Sequence, residues 1–203
     1  MKTTLKDIAS IQTGIFAKTD SKGDIVYLQA KHFSETGQLH TTLHPDIKAY
    51  NITKKHLLRS GDVLFAAKGT KNFAAVYENH NEPAVASTSF FIIRLLENKI
   101  LPEFLVWLIN HPTSQKFLKG KAIGSSIASI SKTVLEELKI FIPDLQTQQA
   151  VLQITKLRNT EKKLHQQIQS LREKQIQEIL WAGSRKTEDG SPQAGGRQTK
   201  HHK

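Results

Sequence analysis

Lys139-Ile140-Phe141-Ile142-Pro143-Asp144-Leu145-Gln146-Thr147-Gln148 divides the chain in two. Before Pro143, short apolar runs alternate with clusters of Gly, Pro, Ser and Asn, the pattern of strands and short helices joined by turns. Pro143 ends the last of these strands, because proline has no N–H to give to a sheet ladder. From Asp144 to Trp181 there is neither Gly nor Pro, and Gln, Lys, Glu, Leu and Ile dominate. Roughly 37 residues of continuous helix, about 55 Å long, are therefore predicted. The fold class is α+β. One globular mixed α/β domain occupies 1–143, a long coiled-coil-type helix 144–182, and a basic tail 183–203 rich in Gly, Ser, Thr and Gln has the composition of a disordered segment.

Along the helix, Ile154, Leu157, Leu164, Ile168 and Leu171 fall at a and d positions of one heptad frame, with Glu161 and Gln175 polar at the remaining a positions. Ile176, Ile179 and Leu180 continue the apolar surface but leave that frame, as expected for a 3.6-residue period or a change of partner along the helix. An apolar stripe of this length needs another helix to cover it. A second chain is the expected partner, with Ile154, Leu157, Leu164, Ile168, Leu171 and Ile179 as the dimerisation residues.

Within 1–143, the β-rich run Asp24–Ala30 and the continuous run Val63-Leu64-Phe65-Ala66-Ala67 read as buried strands, and Phe73-Ala74-Ala75-Val76-Tyr77 as the partner of the second. Phe90–Leu96 is a further core strand. Leu5–Ile15 reads as a helical turn or a short strand. Pro102 opens a helix that ends at His111-Pro112, and a short one follows from Thr113 to Lys119. Lys31–Pro45 reads as a surface loop or irregular hairpin.

Lys and Arg number 29 against 18 Asp and Glu, a formal charge of +11, which favours polyanionic partners through counterion release. The chain has no cysteine, so disulfides and thiolate metal sites are excluded. Its first residues lack the apolar region of a signal peptide, and no apolar run is long enough to span a membrane. A cytoplasmic protein is expected. His40 and His44 stand four apart, a helical ligand spacing, but Pro45 opposes a helix there and no carboxylate completes a metal set. No metal is expected.

Leu5–Gly14, Leu58–Thr70 and Gly124–Gln148 resemble the specificity subunits of type I restriction-modification systems. Leu5-Lys6-Asp7-Ile8-Ala9-Ser10-Ile11-Gln12-Thr13-Gly14 looks like their opening segment, and Leu58-Arg59-Ser60-Gly61-Asp62-Val63-Leu64-Phe65-Ala66-Ala67-Lys68-Gly69-Thr70 like their central strand-turn-strand. Gly124-Ser125-Ser126, Ile130-Ser131, Leu135, Leu138 and Ile140–Gln148 follow their closing order of glycine loop, Ile-Ser, apolar strand, proline and Gln-containing helix start. The resemblance implies a non-catalytic, DNA-reading subunit that directs methyltransferase and restriction subunits to a bipartite target. S-adenosylmethionine and ATP would be cofactors of those partners only. Family members usually carry two recognition domains and two long helices, whereas this sequence has one of each. The resemblance therefore implies a half-length form, or a fragment, that would pair with a copy of itself through the helix.

A reader of duplex DNA needs Lys and Arg for phosphates and Asn, Gln, Ser, Thr or Lys on loops for base edges. Lys68-Gly69-Thr70-Lys71-Asn72 supplies both and is the first candidate for DNA binding. Lys119, Lys121, Ser125 and Ser126, with two glycines between them, form the second. Lys31 and His32, followed by Gln38 and His40, form the third. Two rivals fit the composition less closely. A nuclease or methyltransferase would need clustered carboxylates or a Gly-rich nucleotide turn, and neither is found in the sequence. A structural or regulatory adaptor would use the helix as its working part, with the basic domain docking on a protein.

Overall fold

The computed structural model describes every residue except 1, 21, 35–36, 40–42, 50–51, 70–71, 79–82, 125–128 and 189–203, with the backbone alone at 182–188. In chain order the elements are β1 (Lys2–Thr4), α1 (Leu5–Ile8), β2 (Ala9–Thr13), β3 (Val26–Leu28), β4 (Val63–Ala66), β5 (Ala74–Val76), β6 (Ala84–Ala86), β7 (Phe90–Leu95), α2 (Pro102–Asn110), α3 (Pro112–Gly120), α4 (Lys132–Glu136), β8 (Lys139–Phe141) and α5 (Leu145–Glu188). The chain divides into two compact units, Met1–Gln153 and Ile154–Lys203. Leu5–Ile15 holds both a helical turn and a strand.

The first unit is built on an antiparallel sheet ordered β2-β7-β4-β5. Its central strand β4 is apolar at every position because both faces are covered, so a continuous run replaces the usual alternation. Val63 and Phe65 face a core shared with Phe104, Leu105 and Ile109 of α2, while Leu64 and Ala66 face a second core with Val26, Leu28, Phe73 and Phe90. Beside the sheet lie the parallel pair β3-β6 and the antiparallel pair β1-β8.

Polar side chains hold the connections. Asp62, only 2% exposed, ends the Ser60-Gly61 turn and accepts two hydrogen bonds from Arg94, from Nε at 2.8 Å and Nη2 at 2.6 Å, plus the Arg59 N–H at 2.8 Å. This fork-shaped pairing raises the Arg94 pKa further above its ordinary value, chiefly through the hydrogen bond itself, and ties the entrance of β4 to the far end of β7. Gln148, fully buried, donates from Nε2 to the carbonyls of Lys99 (2.8 Å) and Pro143 (2.9 Å) and accepts the Leu101 N–H at 2.9 Å. These bonds draw the first turns of α5 into the first unit, whose last residue is Gln153. Asp144 caps α5 by accepting from the Thr147 N–H at 2.8 Å and the Thr147 hydroxyl at 2.9 Å, and the first of these bonds is the main reason its carboxyl lies below the ordinary range.

Beyond Thr155, α5 is different. Every described side chain from Lys156 to Trp181 is exposed, the apolar ones included. The backbone stays helical past Trp181 to Glu188, so Gly183 does not end it: one glycine in a helix costs only about 1 kcal/mol, and no proline follows within the helix.

Candidate nucleic-acid interface

The registers of the central sheet bring four strand ends to one rim. Thr13 at the end of β2 pairs with Phe91, Ala66 at the end of β4 pairs with Phe90, and β5 starts at Ala74 beside Phe65. The first candidate stretch leaves this rim, and parts of the other two, Ser129–Ile130 and Phe33, pack against its root.

The first is the connection between β4 and β5. Lys68 is exposed, and Gly69 adopts φ 128°, a left-handed backbone that an L side chain rarely takes, with open space where a Cβ would stand. Its backbone is thus bare toward solvent. Asn72 turns inward and donates from Nδ2 to the Ala66 carbonyl at 2.9 Å, closing the loop on its own strand. Asn110, at the end of α2, pairs its side-chain amide with both backbone groups of Ala74, at 2.8 and 2.9 Å, as a neighbouring strand would. Both roots of the loop are therefore fixed by amide side chains. Thr70 and Lys71 lie outside the described residues.

The second stretch comes to the same place. Ile130 N–H donates to the Ala67 carbonyl at 3.0 Å, Lys68 bridges to Ser129, and Ile123 and Ser129 exchange backbone hydrogen bonds at 3.0 and 2.9 Å. The loop spanning 123–129, which holds Ser125 and Ser126 outside the described residues, is therefore a direct neighbour of Lys68. Lys119 is exposed in the last turn of α3. Lys121 is engaged locally: its Nζ lies 3.0 Å from Glu137 Oε2 and 4.9 Å from the centre of the Phe117 ring.

The third stretch forms a single 3-10 turn, Ala30–His32, continued by Phe33, whose ring packs 5.7 Å from Phe73 and 5.6 Å from Phe90. That contact seats the turn against the root of the first loop. Phe33 also bridges to Leu39, so the region is an irregular hairpin. Lys31 and Gln38 are exposed; His40 lies outside the described residues. The His32 Nδ1 accepts the Gln29 N–H at 3.2 Å, which puts the ring proton on Nε2. Burial, with Lys31 next, holds the His32 pKa below its ordinary value, so at neutral pH this ring is an uncharged donor and not a cation.

Ser129 and Asn110 position these loops and were not marked by the sequence reading. Ser129 reaches the first loop through Lys68, 61 residues earlier, and no local pattern carries that. Asn110 carries a weak signal, as a polar residue closing an otherwise apolar helix.

A family model described as the type I restriction modification DNA specificity domain matches residues 1–176. The chain belongs to this family. Among relatives of known assignment, it is 31% identical over 115 residues to the MjaX type I restriction enzyme specificity subunit assigned in Methanocaldococcus jannaschii, covering 54% of this chain and 26% of that subunit. It is 30% identical over 103 residues to the HindI specificity subunit of Haemophilus influenzae, covering 49% of this chain and 22% of that one. The chain thus spans well under half of the specificity subunits it matches. Solved structures share its fold: the HsdS subunit of Thermoanaerobacter tengcongensis (TM-score 0.64, 18% identity, 96% of this chain and 50% of that one) and the S subunit of M. genitalium (TM-score 0.54, 15% identity, 79% and 39%). A chain from a structural study of complex assembly and conformational transition in the type I system also matches (TM-score 0.64, 15% identity, 88% and 43%). The mixed α/β unit with a long helix is therefore the fold of specificity subunits. No helix among the described residues is long and apolar enough to cross a membrane.

Proposed function

We propose that this specificity-family chain is the non-catalytic DNA reader of a cytoplasmic type I restriction-modification complex, and that it directs methyltransferase and restriction subunits to a bipartite target as a homodimer joined through α5. The observation that carries the reading is the convergence of three basic, polar loop segments on one rim of a sheet whose two faces are already filled. Lys68, Lys71, Lys119 and Lys31 serve phosphates; Thr70, Ser125, Ser126 and His32 serve base edges, and Gly69 lets the backbone approach. Asn72, turned inward onto the Ala66 carbonyl, holds the loop root instead of reading a base. Lys121 enters by exchanging Glu137 for a phosphate. S-adenosylmethionine and ATP belong to the partner subunits.

The pairing rests on the exposed stripe Ile154, Leu157, Leu164, Ile168 and Leu171, with Ile179 beyond it. A two-fold dimer presents the same rim twice, so its target is two inverted copies of one half-site. The test is duplex binding by the chain assembled with its modification subunits. Selective binding whose affinity falls steeply with salt is expected; equal affinity for all duplexes contradicts the reading.

A further inference from the structure

Phe16 is 84% exposed, the most exposed large apolar side chain among the described residues of the first unit, although its neighbours on either side are packed. The segment alternates: Ile15 and Ala17 lie against a cluster of Ile25, Tyr27, Ile47 and Val85, and Phe16 points the other way. This exposure is not that of a loose tip. Gly14 N–H donates to the Phe90 carbonyl at 3.0 Å and Ile15 N–H to the Ala86 carbonyl at 2.9 Å. The hydroxyl of buried Tyr27 then closes a clamp around Phe16, donating to the Ile15 carbonyl at 3.0 Å and accepting the Ala17 N–H at 3.4 Å. Gly14 makes the approach possible, since a Cβ there would stand 2.1 Å from the Ser87 carbonyl oxygen.

The clamp fixes Phe16 on the rim described above. Gly14 hydrogen-bonds Phe90, and the adjacent Ser89 accepts from Ala67, the residue before Lys68. An aromatic ring held in water just beyond Thr13, the rim end of β2, with both flanking peptides immobilised, is arranged before any partner arrives, so little ordering cost remains on contact.

We propose, resting on the DNA-reading function above, that Phe16 is a specificity-determining residue that makes an apolar contact with a thymine methyl group in the major groove. A phenyl ring has no donor or acceptor and cannot grip a phosphate. Among base-edge features, the thymine methyl is the one that rewards an apolar partner. Phe16 thus complements the lysine, serine and histidine readers, whose polar ends do not sense that group.

The test uses the chain assembled with its modification subunits and a pool of duplexes with randomised sequence. Phe16→Ala lies outside the core and should leave the melting temperature and the assembly unchanged. The unmodified assembly should enrich one consensus, and the Phe16→Ala assembly the same consensus with a thymine relaxed. Replacing that thymine by uracil, which removes only the methyl, should weaken the unmodified assembly about fourfold and leave the variant unaffected. An unchanged consensus in the variant, or the absence of any thymine whose methyl the unmodified assembly alone senses, overturns the proposal. Failure of the variant to assemble overturns it too, since Phe16 would then be a protein contact. An unmodified assembly that enriches nothing is a separate failure, of DNA reading itself, and removes the proposal with it.

Discussion

The two units place their apolar residues in opposite ways. In Met1–Gln153 the large apolar side chains of β4 and β7 fill two cores, one on each face of the sheet, and the groups proposed to read DNA are polar loops. In the unit after Gln153, Ile154, Leu157, Leu164, Ile168 and Leu171 all stand in water. A unit that buries its own core can display polar groups for recognition; a helix that cannot bury its stripe displays apolar groups for assembly. In the proposed function, the first is complete without a partner and the second is completed by one.

The largest expected effect falls on that second unit. Leu164→Glu with Leu171→Glu puts two charges into the seam and should weaken self-association by roughly a hundredfold or more, since every 1.4 kcal/mol is tenfold. Sedimentation should then report the monomer mass. A dimer of unchanged mass would mean that the helix is not the pairing element, and the contrast between the units would collapse.

Next comes the first unit's own integrity. Arg94→Ala leaves the Asp62 carboxylate buried without its cation and should cost about 3 kcal/mol in urea denaturation. Gln148→Ala strands the backbone groups of Lys99, Leu101 and Pro143 and should cost about 2 kcal/mol. Both losses should appear in the Leu164→Glu, Leu171→Glu background as well, because neither residue belongs to the seam. An effect only in the dimer would make the first unit dependent on assembly.

Smaller changes test the rim. Lys68→Ala and Lys71→Ala should each lower the slope of log affinity against log salt by about one while leaving the preferred sequence intact. A changed consensus would move these lysines from phosphates to bases. The smallest effect concerns His32. Its folded pKa lies below the ordinary 6.5, so the neutral ring's contribution to stability is complete above that value and is lost as pH falls through the folded pKa. His32→Gln should therefore flatten the acid side of the stability profile; an unaltered profile would mean the ring is not held neutral.

Much of this contrast was legible in the sequence, for reasons that differ between the units. The gap without Gly or Pro after Pro143 declares a helix because those two residues are the strongest breakers, and the stripe is legible because helical spacing is local. The continuous run Val63–Ala67 declares a strand covered on both faces. What escaped was non-local. Nothing near Lys68 indicates that Ser129 will pair with it, nothing near Asp62 announces Arg94, and β3 finds β6 in parallel across more than 50 residues. Leu5–Ile15 was ambiguous because it holds two elements in eleven residues, too few for either period to stand out. Residues were thus nominated as loops by composition, and only the fold brought those loops to one place.

The most direct test of a single reader paired with itself is a methylation profile of cells carrying this chain and its modification subunit. One bipartite motif is expected, its two halves inverted repeats of each other and separated by a constant spacer. Two unrelated half-sites, or methylation that does not depend on the chain, would contradict it.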